Sequence, residues 1–194
     1  MTKDEMRKAL LESTVEILAK HGFSGATTKA IASVHGLNEA YIYRIFGGKE
    51  KLFAATFEML DGELIETLRA TRIDTAATEG VSSALRTVFD RVWRFVLARP
   101  DRCLAYVRYY FSPYFMQLSH AWHMAAYKPI VNALRPLFRE DADVTTLAHH
   151  VLSSLLDFAV RVNNGDISDS EDTETHVFRV LFYVFRPYLR DTEF

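Results

Sequence analysis

Apolar residues recur three and four positions apart along almost the whole chain, and strict apolar-polar alternation is missing. That spacing lays a hydrophobic stripe along one side of a helix, whereas a half-buried strand needs a period of two, so the sequence predicts an all-α fold. With only 8 Gly and 5 Pro in 194 residues, the places where helices can stop are few and legible. Met6, Leu10 and Ile17, with Leu11, Val15 and Leu18 beside them, set a first helix over about Lys3 to His21. Gly22 ends it, because glycine takes the left-handed turn after a helix at little cost. Thr27-Thr28 offers hydroxyls to cap a short helix running to about His35, where Gly36 breaks the chain. A third helix over about Asn38 to Phe46 stops at Gly47-Gly48, and Lys49 opens a long one to about Thr71.

Beyond Asp74 the elements lengthen. Glu79 to Arg99 carries Val81, Leu85, Val88, Val92, Phe95 and Val96 along one side and is closed by Pro100. Asp101 to about Phe111 follows, and Pro113 marks a turn. Phe115 to Phe138 reads as helix, with Pro129 and Pro136 as kinks or breaks. The last two helices fall at about Asp143 to Asn163 and about Thr173 to Leu189, separated by a polar, acidic loop from Asn164 to Asp172.

Composition excludes several classes. Hydrophobic residues make up 49% and charged residues 25%, enough apolar surface for a sizeable core. No apolar run approaches the roughly 18 to 20 residues that span a bilayer, and Met1 to Ala9 mixes acids with bases and has no signal-peptide core behind it. A cytoplasmic protein without membrane contact is expected. The one cysteine, Cys103, permits no internal disulfide and leaves no Cys cluster for structural zinc. No nucleophile elbow, phosphate loop or dinucleotide fingerprint occurs, so neither an enzyme nor a cofactor is expected. The net charge of -2 conceals an asymmetry: Met1 to Leu52 holds eight bases and six acids, the remainder fifteen and nineteen. Such an excess is a weak pointer to nucleic acid, and where the bases sit matters more than how many there are.

The segment Thr28 to Gly47, TKAIASVHGLNEAYIYRIFG, carries the most information. Two short helices joined by a tight turn need a small residue on the first, glycine in the turn and apolar residues facing inward on the second. Ala32, Gly36, Ile42 and Ile45 stand at those places, with Ile31 and Leu37 at the junction. This is a helix-turn-helix pattern, and spacing alone also admits a plain helical hairpin. Its purpose would be to present the second helix, a rod of about 10 to 12 Å, to a major groove of similar width. Asn38, Glu39, Tyr41 and Arg44 then face outward, and Arg44 can address guanine with two hydrogen bonds.

Helix one ending in Gly22-Phe23, then Thr27-Thr28, Ile31-Ala32, Gly36-Leu37-Asn38, Ile42-Tyr43, Phe46 and Lys49-Glu50-Lys51-Leu52, in that order and at those gaps, resembles the DNA-binding segment of the TetR family of transcriptional regulators. The resemblance covers about Leu10 to Leu52. It implies a DNA-binding domain over residues 1–48, whose third helix reads the groove, and a helical ligand-binding and dimerisation domain over 49–194. The expected protein is a ligand-responsive regulator, a repressor, that binds double-stranded operator DNA as a homodimer and is released by a small-molecule effector. By the same resemblance Tyr43 and Lys49 grip phosphates. The chemistry is sensible for Lys49, which opens a helix whose free backbone donors also attract an anion. Thr28 reads as a phosphate contact or a cap, and Lys29 as reaching a base edge or a phosphate. The chain departs from the family pattern at Ser13, Thr14, Asn38, Tyr41 and Ile45. Asn38 can still cap the third helix, while Tyr41 puts the usual set of contacts, and the target sequence, in doubt.

Beyond Leu52 the signals are broader. Phe89, Trp93, Tyr106, Tyr109, Tyr110, Phe111, Tyr114, Phe115, Trp122 and Tyr127 crowd into forty residues. They read as core individually, but as a set they exceed one small core, so Phe89, Trp93, Tyr106, Tyr110, Phe115 and Trp122 become candidate walls for an apolar or aromatic effector. Arg108, inside YVRYYF, reaches solvent past its stem or faces a ligand carboxylate. His120 and His123, and later His149-His150, read as surface or capping histidines before metal ligands. Cys103, near Arg99 and Arg102, is either a reactive thiolate or a small buried hydrophobe. The last two helices carry apolar faces (Leu147, Val151, Leu155, Phe158 and Val162; Val177, Val180, Leu181, Val184 and Phe185) wider than one small core needs, which predicts a four-helix bundle about a two-fold axis between two copies. A helical protein-interaction module without DNA binding is the alternative from another class.

Overall fold

The computed structural model describes residues 1–71 and 80–190. The described residues form α-helices α1 (Lys3–Gly25), α2 (Thr28–Ser33), α3 (Ala40–Phe46), α4 (Lys49–Arg69), α5 (Val81–Leu97), α6 (Pro100–Tyr110), α7 (His120–Leu134), α8 (Val144–Asn163) and α9 (Glu171–Phe185). A π-helical stretch, Phe115–Ser119, leads into α7, and short 3-10 turns follow α7 and α9. The expected all-α class holds: extended pairing among the described residues is limited to an isolated bridge between Phe138 and Leu189.

Two compact units emerge. The first comprises Met1–Glu63 and Asp101–Ala125; the second comprises Leu64–Pro100 and Ala126–Phe194. The division expected after residue 48 falls inside the first unit, and α4 and α7 each begin in the first and end in the second.

In the first unit, α1 starts with a capping box in which the Thr2 hydroxyl and the Glu5 carboxylate satisfy each other's backbone donors. The chain leaves helical geometry at Gly22, yet a further turn follows it, so α1 ends four residues later than expected. The reason is Phe23, whose ring packs 5.2 Å from that of Phe53 and 5.3 Å from that of Tyr114. Leu52, Phe53, Phe57 and Leu60 form the buried side of α4, as their spacing requires.

In the second unit, α8 packs on α9, and α5 packs on both. Leu85, Leu137, Phe138, Val144, Phe182, Phe185 and Leu189 make one core cluster there. The expected start of the fifth helix at Glu79 lies outside the described residues. Helix α7 continues through Pro129 to Leu134; the carbonyl that loses its partner belongs to Ala125, an exposed residue, where water can serve it. Ser170 caps α9, which therefore starts before Thr173. Pro187 cannot donate to Tyr183, so α9 stops at Phe185 and tightens into a 3-10 turn.

Candidate nucleic-acid interface

The turn between α2 and α3 is built by glycine geometry. Gly36 has φ +64°, and around it Leu37 N–H reaches back to the Ala32 carbonyl at 2.9 Å, the closure that a left-handed residue after a helix permits. Ile31, Ala32 and Ile42 are buried beneath the turn, with α1 packed against both short helices. Gly47, at φ +79°, closes α3 by a bond from its N–H to the Tyr43 carbonyl at 2.9 Å.

Two departures from the family pattern are explained by hydrogen bonds. The Ser13 hydroxyl donates to the Ala9 carbonyl at 2.8 Å and lies 2.8 Å from His35 Nδ1. Its one proton being committed, it accepts from the ring, which ties the turn to α1. The Thr14 hydroxyl donates to the Leu10 carbonyl at 2.7 Å, so neither buried hydroxyl is left unsatisfied.

Of the expected DNA-contacting residues, Thr28 meets Glu39 and Arg44 meets Tyr41. Thr27, not Thr28, caps α2, its hydroxyl accepting from Ala30 N–H at 3.0 Å. The Thr28 hydroxyl instead donates to the Glu39 carboxylate at 2.7 Å, joining the start of α2 to the start of α3. Asn38 Oδ1 accepts from Ala40 N–H at 2.8 Å, so α3 begins two residues later than its spacing suggested. Lys29, Asn38 and Glu39 are exposed, and Tyr43 is 58% exposed. The Arg44 guanidinium lies over the Tyr41 ring, 4.6 Å from its centroid, which fills the position that departs from the family with a platform for the arginine. Lys49 heads α4, its ammonium 5.7 Å from the Phe53 ring centre. The last turn before it is open backbone at Gly47 and Gly48, and the first N–H groups of a helix lack internal partners, so an anion could meet both amides and ammonium there.

The candidate effector residues divide between the units. Tyr106, Arg108, Tyr110, Phe115 and Trp122 belong to the first; Phe89 and Trp93 belong to the second. Arg108 takes neither expected role: it donates to the carbonyls of Leu18 and Ala19, the latter at 3.0 Å, and so serves the end of α1. Tyr106 is buried, its hydroxyl donating to Asp61 Oδ1 at 3.0 Å, while His123 Nδ1 lies 2.8 Å from Asp61 Oδ2. Asp61 and His123 are 0% and 1% exposed. Tyr110 and Phe115 pack ring to ring, centres 4.5 Å apart, and Trp122 is partly exposed. Phe89 stacks on Trp93 and lines a cavity of about 110 Å³ in the second unit, whose walls also include Leu68, Tyr127, Ala148, His149, Leu152 and Leu181. Apolar spacing could not reveal this opening, because the residues that surround a gap and those that fill one have the same periodicity.

Of the expected dimer residues, Leu155, Val177 and Leu181 are buried within the chain; Leu147, Val151, Phe158 and Val184 are half-buried, and Val180 is exposed, as is Tyr183 beside it on α9. Among the described residues no group of three or more His, Cys, Asp or Glu could hold a metal. Cys103 is buried, and burial pushes its thiol up to about 12; Arg102 is engaged by Glu12 and Glu63, so a reactive thiolate is excluded.

A short glycine-turned helix pair that exposes a polar second helix is a helix-turn-helix arrangement. Residues 10–56 match the family described as "Bacterial regulatory proteins, tetR family". The chain is 30% identical over 98 residues to the HTH-type transcriptional repressor NicS of Pseudomonas putida, spanning 50% of this chain and 45% of that one. It is 30% identical over 105 residues to the HTH-type transcriptional regulator BetI of Rhizobium meliloti, spanning 54% and 50%. The matches therefore span about half the length of these curated relatives. A TetR family transcription regulator from Marinobacter aquaeolei VT8, 21% identical, superposes with a TM-score of 0.76 over 93% of this chain and 95% of that one. The family is thus matched over residues 10–56, and the likeness to the Marinobacter structure shows a fold of the same kind over 93% of this chain. Among the described residues no helix is long and apolar enough to cross a membrane.

Proposed function

We propose that this chain is a transcriptional repressor that binds operator DNA as a homodimer and is released by a small apolar or aromatic effector. The observation that carries the reading is the outward face of α3, where Arg44 rests on Tyr41 beside exposed Tyr43, with Asn38 and Glu39 at the helix start. Arg44 is the base reader, with Tyr41 and Asn38 beside it. Lys29, Tyr43 and Lys49 take phosphates and set the register. Thr28 and Glu39, already bonded to each other, hold the two short helices in place for that contact. The paired copy is assigned to α8 and α9, where Val180 and Tyr183 remain exposed, so that two heads meet successive major grooves about 34 to 36 Å apart.

The effector is placed in the cavity of the second unit, against Phe89. Leu68 supports this placement, because it lines that cavity and sits on α4, the helix that Lys49 begins. An occupant that displaces Leu68 acts on the same rod of backbone that leads from the DNA-binding head. Selection of duplexes from a randomised pool by the full chain tests the reading. A two-fold symmetric sequence should emerge, with Lys49→Ala weakening all sequences alike and lowering the salt slope by about 1, and Arg44→Ala relaxing particular base pairs at a cost of about 1 to 3 kcal/mol. A pool that stays random while the protein is folded would refute it.

A further inference from the structure

The cavity in the second unit has walls of a single chemical kind. Leucine, isoleucine, valine and phenylalanine from α4, α5, α7, α8 and α9 supply nearly all of them, and no Asp, Glu, Lys or Arg stands among the described lining residues. Its polar features are the Tyr127 hydroxyl and the His149 imidazole, whose rings lie 5.8 Å apart. His149 Nδ1 is 2.7 Å from the Thr145 carbonyl oxygen. A carbonyl only accepts, so that nitrogen carries a proton and the ring is held in a fixed orientation by its own helix. The surroundings differ from those of the arginines elsewhere in this unit: Arg86 pairs with Asp90 and Glu174, and Arg135 donates to the Ala142 carbonyl, while neither lines the opening.

We infer that the effector is an uncharged molecule whose buried part is a single ring or a short branched hydrocarbon, and that organic acids and amines are rejected. This rests on the reading of the chain as an effector-responsive regulator and names the ligand class of that cavity. The reason is desolvation. An ionised group entering these walls gives up water and meets no opposite charge, which costs far more than its hydrocarbon portion gains. Size follows from volume: an engineered apolar cavity of about 150 Å³ in another protein takes up one benzene, and this one, at about 110 Å³, admits one ring with slight yielding of its leucine and valine walls.

Toluene and benzoate, similar in size, the one neutral and the other an anion, serve as probes on the full chain. Toluene should bind saturably and raise the melting temperature, and benzoate should bind at least about tenfold more weakly. Ala148→Leu, which places extra methyl groups in the opening, should abolish toluene binding while helical circular dichroism is unchanged; Leu152→Phe repeats the test from a second wall. Benzoate binding as tightly as toluene, toluene binding unaffected in both folded variants, or no binding of toluene at all would each overturn the inference. Duplex selection in the absence of any probe separates this failure from that of the functional reading, since an enriched operator with no toluene binding removes only the ligand class.

Discussion

The interiors of the two units are held together by different chemistry. In the first, Asp61 accepts from Tyr106 and engages His123 where no water reaches, Ser13 joins α1 to the turn, and Arg102 is clamped between Glu12 and Glu63. The second has a hydrocarbon interior around an opening. A buried polar group has few geometries in which its partners are satisfied, so it fixes one arrangement, whereas apolar walls of similar volume can repack around an occupant at modest cost. The unit that carries the α2–α3 turn is thus specified by direction-dependent bonds, and the unit that holds the opening is left deformable.

Breaking the polar set should have the largest effect. Asp61→Ala removes the acceptor of the Tyr106 hydroxyl and the neighbour of the His123 ring, and a loss of about 3 to 5 kcal/mol is expected in urea denaturation, with Asp61→Asn losing clearly less because an acceptor remains. Equal losses for the two variants would mean that packing, not polarity, holds that site. In the second unit Leu155→Ala enlarges the existing opening and should cost about 2 to 4 kcal/mol, while Ala148→Leu costs little or stabilises; a large loss from Ala148→Leu would show that the opening is already filled by motion of its walls. Removing a cap is smaller still: Thr27→Ala should cost about 1 kcal/mol, read by the same denaturation.

The smallest effect at neutral pH belongs to Cys103. Burial raises its thiol to about 12, above the ordinary value of about 8.5 that it regains on unfolding. The unfolded chain therefore sheds a proton that the folded chain keeps, so stability is full below about pH 8.5 and falls as pH rises toward the folded value. Cys103→Ala should flatten that alkaline decline in a pH series of melts, and a decline of unchanged slope would assign it to other groups.

Much of this was legible in the sequence, and the reason lies in which signals are local. Ala32, Gly36, Ile42 and Gly47 sit within sixteen residues of each other, so their spacing shows two short helices joined by a tight turn. The residues that anchor it are not local: Arg108 meets Leu18 and Ala19 across some ninety positions, and Asp61 meets His123 across 62. Nothing in the periodicity of either strand of chain marks such a partner. Thr27 and Thr28 were interchangeable as caps from sequence, because either hydroxyl can reach a helix start, and only backbone geometry assigns the cap to Thr27. Aromatic density pointed to an effector site, but it cannot distinguish rings that close on each other, as Tyr110 and Phe115 do, from rings beside an opening, as Phe89 is.

The proposed link between the cavity of the second unit and operator binding is tested most directly by titrating toluene into the full chain alone and then into the chain saturated with its selected duplex. If cavity occupancy and operator binding draw on one equilibrium, the duplex must weaken toluene binding by the same factor by which toluene weakens the duplex, and a factor of about 5 to 150 is the ordinary range for such coupling. Identical toluene affinities in the two titrations, with both sites shown to be filled, would contradict it.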